Sequence, residues 1–440
     1  MYKKHIYAVI AIITICLLIC VIDGYFLQEK NKQKIALTQV CFEGNIDEIS
    51  KDNQVPIHLK IIMGDGTNID CDALIDLQGA STVKYPKKNY NIRLFKTGTE
   101  ESLKIELYPG WGKHDKYTIK ANWDDPSQAR NIVSGRLFNE VVQSRNKNDK
   151  LELAPNGGVV DGFPIELYIN DIYSGLYTFN IPKSKWMFGM DDKGKEAILH
   201  AISFSSSCRL EEPIGDDYSL DWQLKYCSTG DDSEWVIDSF NDMIVFLNSS
   251  SDSEFIEHIN EYVDVDRTID AMIFSFFIDY YDGLVHNINW VTYDGKHWIP
   301  SPYDIEVTWG LFLQDVNDPI ELYVTPEDLL FGCSDELLLG ADDWTISRMN
   351  QYCIGNLLYR RLYTNFYDDI KIRYIELRKS VLSLNNIENN FSNFFSQIPS
   401  YYYDEDKVLY PERNYDGQEY ESIIEYAEKR GIFLDEYFGE

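Results

Sequence analysis

Residues 280–310 read YYDGLVHNINWVTYDGKHWIPSPYDIEVTWG, and they follow the apolar run DRTIDAMIFSFFIDYY at 266–281. That run is apolar nearly all round, which predicts a buried helix. Beyond it, NINWVTY and KHWIPSPYD alternate on either side of Asp294-Gly295, the pattern of a β-hairpin. Asp282 then falls at the end of the buried helix and Asp304 at the end of a strand, so closing the hairpin brings both carboxylates to one edge. Asn287 follows Asp282 by five positions, and Glu306 lies two beyond Asp304, on the same face of an extended strand. Phosphoryl transfer asks for such a set: a carboxylate near the attacking hydroxyl, and amide and carboxylate oxygens for a divalent metal that neutralises phosphate. Asp-Gly pairs are also ordinary turn dipeptides. The spacing therefore needs support from the rest of the chain.

Upstream, VPIHLKIIM, NYNIRLF, YTIKAN, PIELYIN and GLYTFNI are short, β-branched or aromatic, and separated by turn residues. They predict a meandering antiparallel sheet over about 36–190. Within it, DDPSQARNIVSGRLFNEVV has cap and first-turn residues ahead of Ile132, Val133, Leu137 and Phe138 at helical spacing. The acidic stretch at about 190–235 has little periodicity and reads as an insertion or loop. SEWVIDSFNDMIVFLN and DSEFIEHINEYVD open a helical, catalytic part at about 236–330, continued by helices at 331–440. At the other end, Lys3 and Lys4 precede an apolar run from Ile6 to Ile22 that just reaches across a bilayer. Residues 1–28 thus read as a membrane anchor or signal segment, with the remainder outside the cytoplasm. Lys30, Lys32 and Lys34 leave the flanking charge nearly balanced.

The chain has 440 residues, 40 basic and 72 acidic, for a net charge of −32. Such a balance repels nucleic-acid phosphates and excludes that partner class. ATP bound here needs local cations, from clustered lysines or Mg²⁺. Cys41, Cys71, Cys208, Cys227, Cys333 and Cys353 lie beyond the apolar run without CxxC or Cys/His spacing, so they read as disulfides or buried thiols rather than a zinc site.

Four blocks in order carry a family resemblance: STVKYPKKNYNIRLF at 81–95, YTIKANWDDPSQARN at 117–131, PIELYINDIYSGLYTFNI at 164–181, and DGLVHN with KHWIPSPYDIEVTWG at 282–310. They resemble the CotH kinase family of spore-coat and surface proteins. The resemblance implies an α+β chain with a reduced protein-kinase-like fold: an antiparallel β-rich amino-terminal part and a helical carboxy-terminal part, after the transmembrane segment, with residues 29–330 as the core. It implies ATP with Mg²⁺ or Mn²⁺, and a spore-coat or cell-surface protein phosphorylated on Ser or Thr. Residue by residue, Asp282 takes the place of the catalytic Asp, while Asn287, Asp304 and Glu306 take those of metal ligands. Lys87 or Lys88, Lys120 and Arg130 take those of nucleotide-binding groups, with Asn131 beside Arg130.

The match has departures. Tyr303 stands where the family commonly has Trp, Glu306 where it has Asp, Gln78 where it often has Arg, and Asn180 where many members have Glu. A second reading follows from them, a surface or coat scaffold with weak or lost catalysis. A glycoside hydrolase would use the same acids with aromatic platforms, but a constellation containing Lys and Asn does not suit that chemistry.

Overall fold

The computed structural model describes residues 37–79, 82–280, 282–311 and 355–439. Strands β1 (Thr38–Glu43), β2 (Val55–Ile62), β3 (Asn68–Gln78), β4 (Asn89–Phe95), β5 (Lys116–Lys120), β6 (Gly162–Ile169) and β7 (Ile172–Asn180) form a closed barrel in the order β1-β2-β3-β4-β5-β7-β6. Strict alternation builds it. In β2, Val55, Ile57, Leu59 and Ile61 are buried, while the residues between them are half-buried or exposed. All pairs are antiparallel except the closing one, where β1 runs parallel to β6 with Thr38 opposite Ile165 and Phe42 opposite Ile169.

This closure corrects the expected fold class. In place of a reduced protein-kinase-like fold with an antiparallel, meandering β-rich amino-terminal part, the chain has a closed seven-strand barrel, a second sheet and carboxy-terminal helices. The physical reason is that β-sheets twist and coil, and closing a barrel removes both unpaired edges. Alternation looks the same in an open sheet and a barrel, so the β1–β6 contact leaves no local trace. The expected span at Ile6–Ile22 lies outside the described residues, and among those described no helix is long and apolar enough to cross a membrane.

The second sheet contains β8 (Ala197–Ala201), β9 (Trp222–Cys227), β10 (Ile288–Thr292) and β11 (Ile299–Pro302), in the order β11-β10-β8-β9. The hairpin read at 280–310 is its β10–β11 pair, with Ile288 opposite Pro302. The stretch at 190–235 is therefore more than a loop, since it supplies β8 and β9 to this sheet. These strands are too short, and too embedded in acidic turns, for a period to show. Cys208 and Cys227 are free thiols, as are Cys41 and Cys71; Cys333 and Cys353 lie outside the described residues.

Helix α1 (Arg130–Gln143) and the single turn α2 (Lys150–Leu153) connect β5 to β6, and α3 (Glu234–Ser249), α4 (Asp252–His258) and α5 (Val265–Phe277) lead to the hairpin. Phe240 of α3 packs its ring against Trp222, Trp290 and Trp298 at 5.1, 5.3 and 5.0 Å. Every residue of α5 except Asp266 is buried, as its composition predicts. Helices α6 (Leu357–Asn365), α7 (Tyr367–Arg378), α8 (Leu384–Phe395), α9 (Ser400–Leu409) and α10 (Tyr420–Phe438) follow. Gly135 lets α1 approach the segment before β6, because a Cβ there would lie 2.3 Å from the Val160 carbonyl oxygen. Gly135→Ala is expected to cost about 1–3 kcal/mol through forced displacement of that backbone, read as a lower urea midpoint with unchanged m-value; an unshifted midpoint contradicts the close packing.

Candidate functional site

The site lies where the end of the β10–β11 hairpin meets barrel strand β5. Asn287, immediately before β10, accepts from the Tyr303 amide at 3.0 Å and donates its own amide to Ala201 O at 3.1 Å. Asn287 and Asp304 have φ of 55° and 63°, left-handed conformations that cost free energy in non-glycine residues and concentrate at functional sites. Tertiary bonds hold the backbone there. The Tyr280 hydroxyl donates to Tyr303 O, the Ile305 amide donates to Asn131 Oδ1 at 3.2 Å, and Arg130 Nε donates to Thr308 O at 2.9 Å. Trp309 Nε1 completes the anchorage by donating to Ser134 Oγ at 2.8 Å. The Arg-Asn pair at the start of α1 thus positions the Asp304–Glu306 turn.

Across the junction, Lys120 Nζ of β5 lies 3.3 Å from Asp304 Oδ1. Burial raises the Asp304 pKa, but the attraction of Lys120 and then Lys183 outweighs it and leaves the carboxyl below its ordinary value. Asp304 in turn raises the Lys120 pKa against the effect of burial. Glu306 sits in a turn rather than on an extended strand, so the expected shared strand face does not exist. It is 8% exposed and makes no hydrogen bond or ion pair among the described residues. Burial, then Asp304 and Asp124, push its carboxyl well above the usual range. Asp124 is itself pushed up to about 6, by burial first, with Asp304 adding to the shift and Arg413 opposing it.

Asp282 begins a short 3-10 turn, Asp282–Leu284. Its Oδ2 accepts from Asn287 Nδ2 at 3.2 Å and lies 3.5 Å from His286 Nδ1. His286 also acts electrostatically on Asp304, linking the two ends of the quoted stretch. The remaining predicted bases have other positions. Lys87 is buried in an ion pair, 2.7 and 3.0 Å from the two carboxylate oxygens of Asp406, and also donates to Leu176 O. Burial holds its ammonium down to about 7, with Arg413 adding to the effect and Asp406 opposing it. Lys88 donates to Val83 O at 2.7 Å. Besides holding Thr308, Arg130 binds Asp125 at 2.9 Å and Gly417 O at 2.7 Å, so its guanidinium is a buried brace.

Two members of the site escaped the sequence reading. Asp124 stands in the NWDDPSQARN block, where the Arg-Asn pair drew attention instead. Lys183, just after β7, places Nζ 4.1 Å from the centre of the Tyr303 ring, and no motif marks it. The acids and amide available to a metal here, Asp304, Glu306, Asp124 and Asn287, offer only oxygen donors, the chemistry that suits Mg²⁺ or Mn²⁺. Among the described residues, however, no three His, Cys, Asp or Glu side chains are gathered closely enough to hold a metal by themselves.

Such a site, between a closed barrel and a hairpin, gathers the carboxyl groups of Asp304, Glu306 and Asp124 with Lys120 and Lys183. Residues 75–434 match the family described as CotH kinase protein, and the chain belongs to that family. It is 25% identical over 289 residues to Inner spore coat protein H of Bacillus subtilis (strain 168), an alignment covering 64% of this chain and 71% of that protein.

Proposed function

We propose that this chain transfers the γ-phosphoryl group of ATP, with Mg²⁺ or Mn²⁺, to a Ser or Thr hydroxyl of a protein, with spore-coat proteins as the acceptor class. The observation that carries the reading is the Lys120–Asp304 contact beside the unpartnered, buried Glu306. A lone buried carboxylate is costly, and a divalent cation would relieve that cost. Asp304, Glu306 and Asn287 would hold the metal, which when bound neutralises the charge of the transferring phosphate. Lys120 fixes the Asp304 carboxylate and keeps it ionised. Asp282, oriented by Asn287, accepts the proton of the attacking hydroxyl. The coat context is supported by the name of the Bacillus relative.

The test is a melting experiment on the full chain combined with phosphoryl transfer to a coat-protein acceptor. ATP with Mn²⁺ or Mg²⁺ at about a hundredfold excess over Kd should stabilise the fold by about 2.7 kcal/mol, while ATP with chelator should stabilise it less. No metal-dependent stabilisation and no transferred phosphate would defeat the reading.

A second reading, a coat scaffold without turnover, is favoured by the lack of a ready three-ligand cluster among the described residues. Full coat assembly in cells carrying only the Asp282→Asn chain, with no phosphate on coat proteins in the wild type, would select it.

A further inference from the structure

Among the described residues of 279–309, four non-glycine residues adopt left-handed backbone, and they fall into two opposed pairs. Asn287 and Asp304, with φ of 55° and 63°, meet at the site, where the Tyr303 amide donates to Asn287 O at 3.0 Å. Asp279 and Trp309, with φ of 58° and 55°, meet further out, where the Trp309 amide donates to Ile278 O at 2.9 Å. The inner pair belongs to the proposed chemistry. The outer pair does not, yet it carries the same kind of strain, most of all in a residue as bulky as Trp309. Strain of this kind persists only where the surroundings over-determine it.

For Asp279 those surroundings come from the carboxy-terminal helix. Asp279 is 2% exposed. Tyr426 of α10 donates its hydroxyl to Asp279 Oδ2, and Arg430, one turn on, places Nη2 4.0 Å from Oδ1. The same guanidinium donates through Nε and Nη2 to Phe276 O, at 3.0 and 2.6 Å, so α10 holds the last turn of α5 as well. Tyr426 also lies against the turn beyond Trp309, where a Cβ on Gly310 would meet its ring at 2.4 Å. Two side chains of α10 thus hold both ends of the segment that carries the site. Tyr280, next to Asp279, has its amide on Ser275 O at 2.8 Å and its hydroxyl on Tyr303 O, beside Asp304. One helix end, one ring and one carbonyl therefore join Asp279 to the Asp304 turn.

We propose that Asp279 is a positioning residue: clamped by Tyr426 and Arg430, it fixes the end of α5 in the turn that aims the Tyr280 hydroxyl at Tyr303 O, and so sets the Asp304 carboxylate. What Asp304 then does rests on the phosphotransferase reading; that α10 sets its geometry does not. Misplacing a group by about 1 Å can cost about a hundredfold in rate, so a brace outside the site controls turnover.

Asp279→Ala, Asp279→Asn and Tyr426→Phe in the full chain test it, with two measurements made well below the melting temperature. Hydrogen exchange read by mass spectrometry compares residues 299–311 with β2, and phosphoryl transfer from ATP with Mn²⁺ to a coat-protein acceptor gives kcat and KM. Asp279→Ala should speed exchange at 299–311 by about tenfold or more and leave β2 unchanged. It should lower kcat by about tenfold or more, with the KM for the acceptor unchanged. Asp279→Asn keeps an acceptor for Tyr426 and tolerates left-handed backbone, so it should restore most of both. Tyr426→Phe removes one donor and should show the same pattern more weakly; it decides the matter if Asp279→Ala does not fold. Wild-type exchange at 299–311, or wild-type kcat, in a folded variant overturns the assignment, whatever its melting temperature, and leaves a structural contact. A wild type that transfers no phosphate, with exchange at 299–311 still faster in the variants, keeps the brace and defeats the phosphotransferase reading.

Discussion

Asp304→Asn should abolish phosphoryl transfer while leaving the protein folded. Its carboxylate meets Lys120, raises the Glu306 and Asp124 pKa values and stands at the strained hairpin end. On the proposed phosphotransferase reading, losing a carboxylate that would hold the metal removes several kcal/mol from transition-state binding, so turnover should fall by about a thousandfold or more. The amide keeps the shape and can still accept a hydrogen bond from Lys120. The contact is partly solvated, so stability should change by only about 1 kcal/mol. Initial rates on a coat-protein acceptor, alongside a urea melt, separate the two effects. Turnover within tenfold of wild type would show that Asp304 does not carry the metal.

The largest loss of stability should come from Asp406→Ala, far from the chemistry. Asp406 in α9 accepts from Lys87 at 2.7 Å, from Arg413 at 2.8 Å and from the Leu176 amide at 2.9 Å, and all three side chains are buried. Truncation would strand two buried cations and one barrel amide. Removing one partner of a buried ion pair costs about 3–5 kcal/mol, a large share of the 5–15 kcal/mol typical of a domain. Adding Lys87→Met should recover part of the loss, because one stranded charge goes with it. Chemical denaturation of the two single variants and the double variant closes the cycle. A loss below about 1 kcal/mol for Asp406→Ala would mean that water reaches this pair and screens it.

Lys87 also marks the boundary of what could be read without coordinates. PKKNY looked like a phosphate-contacting block because two lysines follow a turn, yet the role of Lys87 is set by Asp406, a residue remote in sequence that no spacing rule connects to it. The hairpin and its buried feeding helix were legible because each expresses a local period; helix α1 was legible from its apolar spacing, but its start was not, because it begins at Arg130 after Ala129, which has no side-chain cap, and residues 124–127 lie before it. Glu306 was assigned to a strand face by extending the alternation of β11 beyond Pro302, whereas the left-handed Asp304 breaks that alternation. Arg130 and Asn131 were visible as a pair, but their work, holding Thr308 O and the Ile305 amide, depends on α1 docking against the hairpin end. The order of the four blocks made the family legible. The barrel was not, since β1 and β6 are remote in sequence and their pairing leaves no local pattern.

That pairing governs how the protein can be cut. The family match begins at residue 75, within β3, and so omits β1, β2 and most of β3. A fragment trimmed to the match would leave β6 without its parallel partner and β4 with only a stub beside it, exposing two hydrogen-bonding edges of the kind that recruit other chains. During synthesis, likewise, β1 must wait for β6 to emerge before the ring can close, so the early strands remain open to mispairing until residue 169 is available.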